Sequence, residues 1–140
     1  MAKWTLKDRT LVISGNGKMR DWFIDNENIH WKNNQYTDII ENVIIEKGIT
    51  NIGYGAFNWC RGLKNITIPE GVTSIDSFAF RGCRSLTNIT IPKGVTRIEM
   101  YTFQYCSSLT NIIIPEGVTN IESSALEKCS SLTNIEFPKK

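Results

Sequence analysis

Apolar and polar positions alternate in short runs along this chain, and from Ile40 onward the runs recur every 23 residues. The segment Leu86–Ser108 reads LTNITIPKGVTRIEMYTFQYCSS, and the segments before and after it carry the same pattern without insertion. A fixed period of about 20–50 residues is typical of repeat proteins whose units stack in one direction. The pattern therefore predicts a repeat solenoid, mainly β, built from these units: 40–62, 63–85, 86–108, 109–131 and a partial 132–140.

The first side of each unit has the alternation of a half-buried strand. In the central unit, alternation places Leu86, Ile89 and Ile91 inward and leaves Asn88 and Thr90 outward. Because no single unit buries its apolar face alone, each strand is expected to pair in parallel with its copy in the next unit.

The rest of the unit returns the chain to the next strand. Pro92 lacks a backbone donor and ends the strand. A short extended piece follows, with Val95 and Ile98 as its inward residues. The third side carries apolar residues at spacings of two and three, which predicts a turn or a single helical or 3₁₀ turn that buries Phe103 and Cys106. One core position of this side holds, in chain order, Phe57, Phe80, Phe103 and Leu126.

Residues 1–39 do not follow the repeat. The runs Trp4–Leu6 and Leu11–Ile13 flank a polar turn, which predicts an antiparallel β-hairpin. A stack of repeats exposes an apolar end at its first unit, so this segment is expected to act as an N-terminal cap. Three tryptophans are interpreted as the core of that cap, with an aromatic sugar-binding site as the alternative: Trp4, Trp22 and Trp31.

The four cysteines share one position of the repeat, namely Cys60, Cys83, Cys106 and Cys129. Residues that recur in every unit stack on their own copies, so the pattern favours a ladder of buried thiols over a set of disulfides. A zinc site needs closely spaced cysteine pairs with further Cys or His ligands, and the only histidine is His30. We therefore expect no metal and no other cofactor.

Composition and motifs exclude several classes of function. The net charge of +2 comes without a long basic block, so no nucleic-acid partner is expected. The chain lacks an apolar run of about 18 residues, so no membrane insertion is expected, and MAKWTLKDRT has no signal-peptide core. None of the GxSxG, HExxH, Walker or GxGxxG patterns occurs. The acidic residues fall among Lys93 and Arg97 as a solvated face, so the sequence does not indicate an enzyme.

The unit pattern LxxIxIPxGVTxIxxxAFxxC resembles the BspA-like, or treponemal-type, leucine-rich repeat family over about residues 40–140. In the unit 63–85 the resemblance rests on Leu63, Ile66, Ile68, Pro69, Gly71, Val72, Thr73, Ile75, Ala79, Phe80 and Cys83. The resemblance implies a right-handed leucine-rich-repeat coil. It also implies an extracellular or cell-surface protein that serves in adhesion and protein recognition, and not an enzyme.

The outward strand positions form the candidate recognition surface. This surface consists of Asn65, Thr67, Asn88, Thr90, Asn111, Ile113, Asn134 and Glu136. The asparagines recur in every unit, and they are interpreted first as a structural ladder of amide hydrogen bonds and second as ligand contacts. The second column varies, and an exposed Ile113 between Thr90 and Glu136 suits a protein or glycoprotein partner. Asn65 and Asn88 also begin Asn-x-Thr glycosylation patterns, which the repeat itself generates.

Three functions remain open from the sequence. The favoured one is a non-enzymatic adhesion module that binds a macromolecular partner through the strand face. The second is a structural spacer or self-assembling module, in which the unpaired C-terminal strand associates end to end with another copy. The third is a carbohydrate-binding module that uses Trp22 and Trp31.

Overall fold

The computed structural model describes residues 3–19 and 37–137. The predictions made for Trp22, His30 and Trp31 lie outside these residues. The strands in the described part are β1 (Lys3–Lys7), β2 (Thr10–Ser14), β3 (Gly17–Lys18), β4 (Asn42–Ile45), β5 (Ile49–Ile52), β6 (Asn65–Thr67), β7 (Ser74–Ile75), β8 (Asn88–Thr90), β9 (Arg97–Ile98), β10 (Asn111–Ile113), β11 (Asn120–Ile121) and β12 (Asn134–Glu136).

The first side of the stack is built from parallel strands that pair one repeat apart. Asn111 in β10 lies opposite Asn88 in β8 on one side and opposite Asn134 in β12 on the other. In the earlier units β4 pairs with β6, which places Asn42 opposite Asn65. Each of these partners differs by 23 positions, so the sequence period and the strand register coincide.

The N-terminal runs form the predicted antiparallel pair. Trp4 in β1 lies opposite Ile13 in β2, and Leu6 lies opposite Leu11. Strand β2 then pairs in parallel with β4, giving a four-stranded sheet in the order β1, β2, β4, β6. Leu11 and Ile13 are fully buried and belong to the same apolar core as the inward residues of the repeats.

The second side consists of shorter parallel pairs. Strand β5 lies between β3 and β7, and β9 pairs with β11. Val95 and Ile98 are buried at the positions predicted for them. Because these strands contain only two to four residues, this side adds fewer backbone hydrogen bonds than the first.

The third side consists of successive turns rather than a helical turn. The N–H groups of Gly55, Phe57 and Trp59 donate to carbonyl oxygens in the next unit. The intervening residues donate three positions back along the chain, as Ala56 and Cys60 do. Alternate donors thus serve neighbouring units, which prevents a continuous helical hydrogen-bond run. The sequence left both options open because apolar spacings of two and three fit either conformation.

Each unit contains two turns whose third residue has a positive φ, as type II turns require. The first such position is occupied by Gly55, Phe78, Tyr101 and Ser124, and the second by Trp59, Gly82, Tyr105 and Lys128. Glycine is the usual residue in this conformation, because a Cβ atom crowds the backbone there. Six non-glycine residues at these positions show that packing between units determines the local backbone.

The core contains a stack of phenylalanines and a ladder of thiols. The rings of Phe57 and Phe80 have centroids 5.5 Å apart, and those of Phe80 and Phe103 are 5.6 Å apart and almost parallel. The thiols of Cys83 and Cys106 are buried and donate to the carbonyl oxygens of Phe57 and Phe80, at 3.2 and 3.0 Å. Buried, free thiols were predicted at these positions, whereas their hydrogen bonds to backbone carbonyls were not.

Candidate recognition surface on the strand face

The eight outward positions singled out from the sequence lie on one side of the stack. Strands β6, β8, β10 and β12 present them in two columns, which together are called the strand face below. The inward residues between the columns are buried in the central units, as Ile89 and Ile112 show. Asn111 is half-buried, and the other seven candidate residues are exposed.

The asparagine column forms an interrupted hydrogen-bond ladder. The side-chain amide of Asn65 donates to Asn42 at 3.1 Å, and that of Asn134 donates to Asn111 at 3.4 Å. The amide of Asn88 donates instead to Thr87 at 3.4 Å, within its own unit. The column therefore has a structural role over part of its length, and the continuity of the ladder breaks at the centre of the strand face.

A groove lies where the strand face meets the turns that follow the strands. Its volume is about 660 Å³. Thr90 and Ile113 of the variable column line it together with the buried Ile91 and Pro115. Ile113 keeps 37% of its surface exposed, so an apolar side chain faces solvent at this place. Two candidate residues thus contribute to one concave, mainly apolar site.

Charged side chains of alternating sign border the groove. Glu70, Lys93 and Glu116 occupy the same position of three successive units, one after each strand-ending proline. All three are exposed, and within residues 3–19 and 37–137 none of them forms an ion pair. From the sequence alone, these residues were interpreted as part of a solvated face. Their common distance from the proline in each unit was the available signal for a shared edge.

A different electrostatic environment exists at the N-terminal end of the same side. Glu41 accepts ion pairs from Arg9 at 3.3 Å and from Lys64 at 3.1 Å. The hydrogen bond from Lys64 and the positive charges of Lys64 and Arg9 hold the pKa of Glu41 below its ordinary value. Charges at this end are therefore engaged with one another, whereas those around the groove have no ion-pair partner among the described residues.

The described residues contain neither a metal-binding cluster nor a membrane-spanning helix, and two of their buried thiols are not activated. Residues 3–19 and 37–137 contain no group of three or more His, Cys, Asp or Glu side chains placed to hold a metal ion. Burial, reinforced by neighbouring thiols, raises the pKa values of Cys83 and Cys106, so neither is an activated nucleophile. Over the same residues, no helix has the length and apolar character needed to cross a membrane.

Parallel strands that pair in register one repeat apart, together with turns at fixed positions of each unit, define a protein of stacked leucine-rich repeats. The chain belongs to the BspA-type leucine-rich repeat family, whose model matches six copies over residues 28–140. The match begins at residue 28, whereas the sequence pattern placed the start of the first unit at residue 40. The division into a capping segment 1–39 and repeats 40–140 stays a prediction.

Solved structures of bacterial repeat proteins are similar to this chain. A leucine-rich cell surface protein from Faecalibacterium prausnitzii A2-165 is 37% identical, with a TM-score of 0.69 over 72% of this chain and 27% of its own. A leucine-rich repeat protein from Eubacterium ventriosum is 30% identical, with a TM-score of 0.75 over 98% of this chain and 42% of its own.

A third similar structure supports the fold alone. The leucine-rich repeat protein of T. pallidum is 21% identical, with a TM-score of 0.68 over 96% of this chain and 67% of its own. Among curated proteins no match was found. The match covers 27% of the F. prausnitzii chain and 42% of the E. ventriosum chain, so the activity of any whole protein is a matter for proposal.

Proposed function

We propose that this chain is a non-enzymatic module that binds a protein or glycoprotein through its strand face. The observation that carries the proposal is the groove, in which Thr90 and Ile113 lie beside three charged side chains that form no ion pair with another described residue. Exposed apolar surface bordered by polar groups is typical of sites that bind other macromolecules. Adhesion at a cell surface is the proposed setting, supported by the cell surface protein of F. prausnitzii.

The stacking of the units gives this surface its extended form. We propose that the repeats continue as one right-handed solenoid, with the β1–β2 hairpin as its N-terminal cap. The parallel pairing of β2 with β4 and the full burial of Leu11 and Ile13 support the capping role. A rigid stack presents successive strands about 4.8 Å apart, so a partner meets a preformed surface.

The groove suggests the chemistry of the partner. An apolar side chain that entered it would contact Ile91 and Ile113, and a basic neighbour would meet Glu70 or Glu116. Lys93 between the two carboxylates favours an acidic group at the central position. The proposed partner therefore carries an apolar residue with charges of both signs around it.

Lysine at two groove positions tests the proposal. The variant Thr90→Lys plus Ile113→Lys is expected to reduce capture of the partner from host matrix and mucus extracts at least about tenfold. The two added charges oppose burial of the partner's apolar side chain in the groove. The expected loss of binding free energy is more than about 1.4 kcal/mol, which corresponds to the tenfold change. Capture on immobilised wild-type chain and variant, compared by quantitative mass spectrometry, measures the change.

A second double variant provides the control. Thr96→Lys plus Ile121→Lys makes the same substitutions at exposed positions of the second side, and its capture is expected to equal that of wild type. Equal loss in both variants, with both folded by circular dichroism, would contradict recognition at the groove. Capture that survives in the Thr90 and Ile113 variant would also contradict it.

A structural or self-assembling role is the second candidate. Among the described residues, strand β12 is the edge of its sheet; Ile135 within it is 39% exposed, and Phe137 directly after it is 65% exposed. An unpaired strand edge with apolar neighbours is a template for pairing with another chain. Mass that rises with concentration in light scattering of the same samples, together with no capture, would favour this role.

A further inference from the structure

The third side of the stack, which consists of turns and is called the turn side below, carries a row of half-buried aromatic rings. Tyr54, Phe78 and Tyr101 follow one another, with ring centroids 5.3 and 5.0 Å apart. Trp59 and Tyr105 stack at 5.8 Å, although they are separated by two repeats in sequence. None of these rings belongs to the phenylalanine stack of the core, so their alignment is a separate feature.

Gly82 brings Trp59 and Tyr105 together. It occupies the same repeat position between them, and its φ is +76°. A Cβ atom at this residue would lie only 2.1 Å from Cε3 of Trp59. The missing side chain thus leaves room for the tryptophan ring to lie across the intervening unit.

Two arginines lie on these rings. The guanidinium carbon of Arg81 is 5.3 Å from the ring centre of Trp59, 5.5 Å from that of Phe78 and 5.7 Å from that of Tyr105. That of Arg84 is 5.5 Å from the ring of Trp59. Such contacts orient a guanidinium group and leave its positive charge in place.

The charges of both arginines are available to a ligand. The Nε–H of Arg81 donates to Oε1 of Gln104 at 2.7 Å, and Arg84 is exposed. Neither arginine pairs with a carboxylate in the described part of the chain, unlike Arg61, which lies one repeat before Arg84 and pairs with Asp38. Glu127 on the same side is engaged by Gln104 and Ser124.

We propose that this aromatic–arginine cluster, formed by Trp59, Phe78, Arg81, Arg84 and Tyr105, binds an acidic polysaccharide. Planar guanidinium groups match the geometry of sulfate and carboxylate oxygens. The half-buried rings hold the guanidinium groups in place and add apolar surface beside the bound acidic groups. The site is distinct from the groove and does not depend on the proposed function of the strand face.

The arrangement favours a polysaccharide over a nucleic acid. The ring planes of Trp59 and Tyr105 differ by 25°, and those of Phe78 and Tyr101 by 23°. These rings already lie against one another or against a guanidinium group, whereas a nucleic-acid base needs a free ring face for full stacking. The sulfate or carboxylate groups of an acidic polysaccharide pair with the arginines, and this pairing needs no free ring face.

Binding to a heparin oligosaccharide tests the proposal. At constant low ionic strength, Arg84→Gln is expected to raise the dissociation constant roughly five- to tenfold, because one charge-assisted pair is lost. Arg84→Lys is expected to give a smaller increase, since it keeps the charge and loses the planar fork. Isothermal titration calorimetry measures both, and the exposed position of Arg84 keeps the variants folded.

The controls separate this site from general attraction between charges. Lys47→Gln makes the same charge change at an exposed residue in the turn between β4 and β5, and it is expected to leave the dissociation constant within about twofold. Chondroitin sulfate and hyaluronan distinguish sulfate from carboxylate recognition. Equal effects of the Lys47 and Arg84 variants, no binding of any of these polysaccharides, or tighter binding of a single-stranded oligonucleotide would overturn the proposal.

Discussion

Replacing Phe80 with alanine is expected to lower the free energy of unfolding by about 3–5 kcal/mol. Phe80 is fully buried, and its ring lies between those of Phe57 and Phe103 at 5.5 and 5.6 Å. Removal of the ring leaves a cavity in the middle of the stack and ends two aromatic contacts at once. Urea denaturation followed by circular dichroism measures the change in the free energy of unfolding.

Phe80→Leu is the matched control. Leu126 occupies the same repeat position one unit after Phe103, so the turn side accepts leucine there. This variant is expected to cost about 1–1.5 kcal/mol, because it keeps most of the buried volume. A loss below about 1 kcal/mol for Phe80→Ala, or equal losses for the two variants, would show that the ring stack does not hold neighbouring units together.

The second large effect is a loss of stability at alkaline pH. Burial, followed by the influence of neighbouring thiols, raises the pKa of both Cys83 and Cys106. Below about pH 8.5 these thiols are protonated in the folded and unfolded chains alike. Above it only the unfolded chain ionises, and stability falls until the folded pKa is reached. Each thiol contributes a slope of about 1.4 kcal/mol per pH unit, so raising the pH from 8 to 10 is expected to cost about 4 kcal/mol.

A double variant isolates the thiol contribution from other alkaline titrations. Cys83→Ala plus Cys106→Ala lowers the stability at pH 8, but its stability is expected to fall less steeply between pH 8 and 10. The comparison uses the slopes of unfolding free energy against pH, measured with a reducing agent present. Identical slopes in wild type and variant would mean that buried neutral thiols do not control the alkaline transition.

Much of the fold was predictable because every repeat has the same pattern of apolar and polar positions. A single strand such as Asn88–Thr90 is too short to identify alone, but five aligned copies fix its inward and outward sides. The hairpin was predictable from two apolar runs around a polar turn, and it is present as β1 and β2. The family assignment followed from the same aligned positions.

The turn side was less predictable, since its conformation depends on contacts between units. Positive φ at Trp59, Tyr105 and Lys128 contradicts ordinary residue preference, and only Gly82 at that position signals the conformation. The stacking of Trp59 on Tyr105 could be predicted only if it were known that Gly82 lies between them in space. Sequence alignment of the repeats supplies the columns, but not the side-chain directions.

The two surfaces differ in the same way. The strand face was predicted residue by residue, because alternation assigns each outward position. Its groove was not predicted, since Glu70, Lys93 and Glu116 belong to turns whose direction the alternation does not determine. The break in the asparagine ladder at Asn88 was also unforeseen, because identical residues in a column predict identical contacts.

The most direct test of recognition at the strand face is a nuclear magnetic resonance titration with the captured partner. Side-chain signals of Thr90 and Ile113 are expected to shift or broaden first, followed by the amide of Asn88. The methyl signals of Ile121 and the indole signal of Trp59, on the other sides of the stack, are expected to stay unchanged. Changes confined to Ile121 or Trp59, with Thr90 and Ile113 unaffected, would contradict the account.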